Sequence, residues 1–262
     1  MSLIKTPKEI ESLKRGGVIL SAALSDAMRA CVVGASTEDI DRIARESMER
    51  AGAKPSFLGY RIDPSDPAYP STLCISINDE VVHAPATPAR IIKEGDVVGL
   101  DIGAWFEGLT TDMAATVMVG EVKPEEKELV LETRRALEKA LTVVRNGAYI
   151  AEIGAAIEDY LEPFGFGIVR DLVGHGVGHA VHEEPQIPNF RDPRAPKVIM
   201  QTGMVLAIEP MVALGSWKIY QKNDGWTLAM RDGSTAAHWE VTVAVTDNGY
   251  DLITPWPDAS NP

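Results

Sequence analysis

The chain of 262 residues is 45% hydrophobic and 24% charged, the balance of a folded globular protein rather than of a disordered or fibrous one. A formal net charge of −13 with no basic stripe argues against a nucleic-acid footprint, and no apolar run approaches the roughly 20 residues that span a bilayer. Met1 to Ile10 lacks an apolar signal core, and Cys31 and Cys74 alone suggest neither a disulfide framework nor a CxxC zinc site, so a reducing cytoplasm is expected.

In chain order, Ile10, Leu13, Leu20, Leu24 and Met28 recur at helical spacing and predict an amphipathic helix from Pro7 to about Ala30, weakly interrupted at Gly16 and Gly17. Ser36 with Asp39 reads as a capping box opening a second helix, with Ile40, Ile43 and Ala44 on its apolar face and a stop at Gly52. The layout returns later: Pro124 and Glu125 start one helix, Ala148 to Leu161 forms another, and Gly165 ends it. At one constant offset Leu24 falls on Leu137, Met28 on Leu141, Gly34-Ala35 on Gly147-Ala148, Ile40 on Ile153, Met48 on Leu161 and Gly52 on Gly165. Shared helical spacing alone would explain the apolar matches, but the matching turn glycines favour a duplicated α-α-β unit, with halves near residues 7–120 and 121–250.

Strand-like runs follow each helix pair, at Leu73 to Ile77, Val97 to Ile102, Thr111 to Val119, Val205 to Ile208 and Trp239 to Val245. The fold class is therefore α+β, a mainly antiparallel sheet backed by helices, in a single domain over 1–262. The proline-rich stretches at Pro64 to Pro70, Pro185 to Pro196 and 254–262 read as loops or a tail.

Asp101 sits inside the apolar run Val97 to Ile102, and Asp112 enters the next strand after a turn at Phe106-Glu107-Gly108. Folding about that turn puts Asp101 opposite Asp112 to within one residue of register, where cross-strand Cβ atoms lie about 4.5–5.5 Å apart. Two desolvated carboxylates there repel; a shared proton, a basic partner or a metal would relieve them. No Lys or Arg occurs between Ile102 and Val122, which favours the proton or the metal. Glu209 and Glu240 repeat the pattern, each one acid beside an apolar strand. Between Asp112 and Glu209, Gly174-His175-Gly176-Val177-Gly178-His179-Ala180-Val181-His182 holds three of the five histidines, and its glycines allow close backbone approach and positive φ. Four carboxylates with one imidazole suit two dications such as Mn²⁺, Fe²⁺, Co²⁺ or Zn²⁺, and paired dications activate a shared water for hydrolysis. HExxH, GxSxG and GxxxxGK[ST] motifs are all missing.

With these residues in view, nearly the whole chain resembles the type I methionine aminopeptidases. The resemblance rests on Cys74-Ile-Ser-Ile-Asn78 leading to Val82-His83, then Asp101, Asp112, Gly174-His175-Gly176-Val177-Gly178, His182-Glu-Glu-Pro185, Ile208-Glu209-Pro210 and Glu240. It implies the pita-bread fold, whose pseudo-two-fold halves would account for the duplication. It implies that Asp101, Asp112, His175, Glu209 and Glu240 ligate two divalent metals, with Glu209 also assisting proton transfer from a bridging water. It implies that His83 and His182 contact the scissile amide and its oxyanion. Phe57, Tyr60, Tyr69, Cys74 and Trp226 would wall a pocket for the methionine side chain. The implied substrates are peptide and nascent-protein N-termini with a small second residue. Ribosome association is implied by the resemblance alone, and a monomer is expected.

The chain departs from the family where members often read Ala-Gln-x-Glu-His-Thr and this sequence reads Ala237-His238-Trp239-Glu240-Val241-Thr242, altering polar groups around the last ligand. Phe57 stands where a smaller residue is common, and Arg61 to Ala68 reads as an inserted stretch at the pocket rim. The alternatives are a Xaa-Pro aminopeptidase of the same fold, which usually has a larger N-terminal region than the residues before Leu73, and a non-catalytic pita-bread binding protein, which would be expected to lack some ligands.

Overall fold

The computed structural model describes residues 3–61, 63–65, 67–194 and 197–258, and in it each half of the chain opens on two helices and continues into antiparallel strands. Helix α1 (Pro7–Ala30) runs through Gly16 and Gly17 without a break. Gly17 is there for space, since a Cβ would lie 2.0 Å from the Ile253 carbonyl oxygen. Thr6 and Glu9 form the reciprocal cap of α1. Helix α2 (Thr37–Arg50) does start after Ser36, but the expected Ser36/Asp39 box does not form; the Asp39 carboxylate pairs with Arg42 instead.

Three short strands follow, β1 (Lys54–Pro55), β2 (Leu73–Ile77) and β3 (Glu80–Val82), and then the long hairpin of β4 (Val97–Phe106) and β5 (Leu109–Met118). Strand β4 pairs with β5 on one edge and with β2 and β1 on the other. The hairpin turns on two residues, Glu107 and Gly108, both at positive φ as the right-handed strand twist favours in tight hairpins.

The second half contains α3 (Pro124–Leu141), α4 (Ala151–Leu161), β6 (Gly167–Ile168), β7 (Gly174–Gly176), β8 (Glu183–Ile187), β9 (Val205–Ile208), β10 (Met211–Ala213), β11 (Ile219–Gln221), β12 (Leu228–Met230), β13 (Ala236–His238), β14 (Val241–Thr246) and β15 (Gly249–Leu252). Its main sheet runs β15-β14-β9-β7-β8, antiparallel throughout. Among the described residues no helix is long and apolar enough to cross a membrane.

The duplication extends to individual hydrogen bonds. Gly34 N–H donates to the Ile92 carbonyl at 2.8 Å and Ile92 N–H returns to Ala35 at 2.9 Å; Gly147 donates to Met200 at 2.9 Å and Met200 returns to Ala148 at 2.8 Å. The two glycines sit at φ +86° and +85°. This pairing explains why α4 begins at Ala151 and not at Ala148: the Ala148 carbonyl already accepts from Met200 N–H, and the Ile150 N–H already donates to the Val198 carbonyl. Of the apolar members of the repeat, Leu24, Ile40, Met48, Leu137, Leu141, Ile153 and Leu161 are buried in one core, and Met28 packs partly buried against it. The tail is packed as far as it is described: Trp256 lies beside Trp239, with the Arg134 guanidinium 5.0 Å and 5.3 Å from their ring centres. Residues 259–262 of the expected tail lie outside the described residues.

The halves join where β3 pairs antiparallel with β12, and again along a narrow seam between β5 and the β13/β14 segment. Ala114 and Glu240 exchange both backbone bonds, at 3.3 and 2.9 Å. Two residues to either side, a threonine hydroxyl replaces the backbone pair. Thr242 Oγ1 donates to the Asp112 carbonyl and accepts from the Asp112 N–H, and Thr116 Oγ1 does the same for His238. This bridge splits the strand expected from Trp239 to Val245 at Glu240.

Candidate metal centre

Apolar strands carry the acids into the interior because their neighbours require burial. Asp101 is flanked by Leu100 and Ile102, both wholly buried, and Glu240 by Trp239 and Val241. The register lies one residue beyond the sequence expectation: Asp101 faces Ala114, two positions along from Asp112, and Asp112 faces Gly103. The turn is one residue tighter than expected, which moves the strands past one another. Because the slip is even, both carboxylates stay on the same face, as diagonal rather than direct neighbours.

His175 enters on β7, where the glycines act by close approach. A Cβ on Gly174 would lie 2.5 Å from the Ala207 oxygen and one on Gly176 2.2 Å from the Glu184 oxygen; of the three glycines of this motif only Gly178 has positive φ. His175 Nδ1–H donates to the Gly176 carbonyl at 2.9 Å, which leaves Nε2 as the free ligand atom. The Glu209 backbone is held by Asn189, whose side-chain amide donates to its carbonyl at 3.0 Å.

Two clusters of possible ligand atoms result, each with its atoms within 4.8 Å of one another: Asp112, His175 and Glu240, and Glu209, His238 and Glu240. Glu240 belongs to both. Asp101 is in neither cluster, yet it faces the same cavity and its carboxyl is influenced by Glu209 and His238. Burial pushes the carboxyls of Asp112 and Glu240 well above the usual range, that of Asp101 up to about 7 and that of Glu209 up to about 8. Asp101 Oδ1, Asp112 Oδ1, Glu240 Oε1 and His238 Nε2 are buried without a hydrogen-bond partner, and among the described residues no Lys or Arg pairs with any of the four acids. Orphaned carboxylate oxygens without a cation are costly, so the residues fit bound divalent metal.

Above this floor opens a cavity of about 370 Å³ that reaches every site residue expected from the sequence. Phe57, Tyr60, Tyr69, Cys74 and Trp226 line it, with Tyr69 and Trp226 edge to face at 5.1 Å. His83 and His182 line it too. Burial lowers both imidazoles, His83 to about 4, so both are neutral at pH 7. Tyr60 contributes more than a wall: its hydroxyl lies 3.0 Å from His182 Nδ1. The loop between Tyr60 and Tyr69 is pinned at its base, where Tyr69 N–H donates to Tyr60 and Gly59 N–H to Tyr69; Ile62 and Asp66 within it lie outside the described residues. Val82, Asp171, Leu172, Val173, Val181 and Met211 also line the cavity and were missed in the sequence. Their adjacency to His83, Gly174, His182 and Glu209 was the available signal.

A profile of metallopeptidase family M24 matches residues 11–247. The chain belongs to metallopeptidase family M24. Among its M24 relatives, the methionine aminopeptidase of Clostridium acetobutylicum is 39% identical over 255 residues, 97% of this chain and 99% of that protein. That of Aquifex aeolicus is 42% identical over 248 residues, 94% and 96% of the two chains. The crystal structure of methionine aminopeptidase from Thermotoga maritima superposes with a TM-score of 0.90 at 41% identity, covering 96% of this chain and 98% of that one. Prolidase from Pyrococcus furiosus, at 23% identity, shares the fold with a TM-score of 0.73, and 65% of its chain is matched. The M24 chain therefore has the pita-bread fold common to both groups and is a metal-dependent peptidase.

Proposed function

We propose that this chain removes methionine from the amino terminus of peptides and nascent proteins whose second residue is small. Asp101, Asp112, His175, Glu209 and Glu240 would hold two divalent cations, with Mn²⁺, Co²⁺, Fe²⁺ and Zn²⁺ all compatible with the donors. Bound there, such a pair supplies Lewis acidity and an activated water for amide hydrolysis. The observation that carries the reading is the pair of ligand clusters sharing Glu240 at the floor of an aromatic-walled cavity.

The chain's own groups then divide the work. Glu209, which lines the cavity beside both imidazoles His175 and His238, is the carboxylate placed to take up the proton released during attack. His83 and His182 are neutral and present N–H groups to the amide and to the oxygen on which charge develops. With the Tyr60 hydroxyl 3.0 Å from His182 Nδ1, a proton donated to that nitrogen would leave Nε2 carrying the one that can face substrate. Phe57, Tyr69, Cys74 and Trp226 receive the thioether, which packs well on aromatic edges. The chain acts in the cytoplasm as a monomer and one catalytic unit, its halves near residues 7–120 and 121–250, and meets substrates as they leave the ribosome.

Metal-stripped protein titrated with each of the four cations and offered Met-Ala and Met-Ser peptides tests this. No turnover is expected without metal, and methionine release with it. Preference for Xaa-Pro peptides, or equal cleavage of Leu-initiated ones, would overturn the methionine assignment.

A further inference from the structure

His238 is unexplained by the five-ligand set. It is 2% exposed, and its Nε2 has no hydrogen-bond partner, although a buried core histidine ordinarily satisfies both ring nitrogens. That nitrogen lies 3.5 Å from Glu209 Oε2 without bonding to it, and the other oxygen, Oε1, lies 3.5 Å from His175 Nε2. Two ligands on one tetrahedral ion at ordinary metal–ligand lengths are about 3.4 Å apart. Glu209 is thus flanked by two imidazoles at the spacing expected of atoms sharing a cation.

The seam supplies a second, independent observation. Its local two-fold, through the Ala114 and Glu240 pair, relates Thr116 to Thr242 and Asp112 to His238. His238 occupies on one side the position that Asp112 occupies on the other. Alternation along the strand also puts His238 and Glu240 on the same face.

We propose that His238 is a sixth protein ligand, giving each metal of the pair one imidazole, His175 on one side and His238 on the other. The inference rests on the metal-centre reading above. A neutral nitrogen leaves the balance of four carboxylates against two dications unchanged. It makes the ligand set less oxygen-dominated and tilts preference from Mn²⁺ toward Co²⁺, Fe²⁺ or Zn²⁺.

Proton NMR of the Co²⁺-loaded protein reads this directly, because each ligating imidazole gives its own strongly shifted ring resonances. Two such sets are expected in the unaltered protein, one lost in His175→Ala and the other in His238→Gln. Calorimetric titration of His238→Gln should show one of the two Co²⁺ affinities weakened at least about tenfold, the lower end of what losing even an outer partner costs. Circular dichroism confirms that each variant folds, and the count in the unaltered protein needs no variant at all. A single set, lost in His175→Ala, would overturn His238 as a ligand while the metal centre stands; so would both sets persisting in His238→Gln. If the unaltered protein binds no Co²⁺, the metal-centre reading itself fails, and this inference with it.

Discussion

His83 sits at φ +62°, in the left-handed region that a side chain with a Cβ rarely adopts. The chain is pinned just beyond it, where Ile75 N–H donates to the Ala84 carbonyl at 2.8 Å, so the turn that aims the imidazole into the cavity is enforced. His83→Gly should therefore relieve backbone strain and fold at least as stably, while peptide turnover falls by about 100-fold or more, a combination that melting curves and steady-state kinetics would separate. Tyr60→Phe keeps the wall but removes the hydroxyl that lies 3.0 Å from His182 Nδ1. Its kcat is expected to drop with little change in KM, and unchanged kinetics would remove the tautomer-fixing role. At this scale the acids were legible because a carboxylate inside an apolar strand needs a reason. The pairing of Tyr60 with His182 was not, since it joins a loop residue to a side chain 122 positions away.

Among the elements, the segment carrying His179 to His182 is held from outside. Lys5, with a side chain 1% exposed, reaches Glu183 at 2.5 Å, and Glu183 also accepts from the backbone N–H groups of His179 and Ala180. The segment bearing Lys5 is anchored in turn by Lys5 N–H donating to the Gly203 carbonyl. Lys5→Ala leaves a buried carboxylate unpaired and should cost about 3–5 kcal/mol in urea unfolding, with KM raised through a loosened His182. A loss below 1 kcal/mol would show that the pair is not a brace. Nothing in the sequence joins Lys5 to Glu183, because that contact exists only once both halves have folded. Strand positions, by contrast, were readable from apolar runs. Register was not, because it hinges on whether the hairpin turns on two residues or three.

For the molecule as a whole, the buried acids set a pH dependence opposite in sign to the usual carboxylate case. Their folded-state values are raised, to about 7 for Asp101 and about 8 for Glu209, so the folded metal-free protein holds protons that the unfolded chain has released. That contribution is complete below the unfolded value near 4 and is lost as pH rises through the folded values. The lowered histidines act the other way, but only below their unfolded value of about 6.5. Between pH 6.5 and pH 8 the acids therefore dominate, and the thermal midpoint of metal-stripped protein should fall by several degrees, whereas metal-loaded protein holds level. A rise over that interval would contradict the buried, cation-free carboxylate set. Duplication was legible at this scale because the same turns in both halves need positive φ, which Gly34 and Gly147, and Gly52 and Gly165, supply. The junction of the two halves was hidden, since Thr116 and Thr242 look like ordinary strand residues until they are seen bonding across it.

Those two hydroxyls act as detents. In an ordinary ladder every residue carries the same backbone groups, so sliding one strand along another by two positions restores most of the bonds. Here each hydroxyl engages both backbone groups of one particular residue, Asp112 or His238, and any shear forfeits all four bonds at once. The lateral offset between the carboxylates of the two halves is thereby locked before any cation arrives.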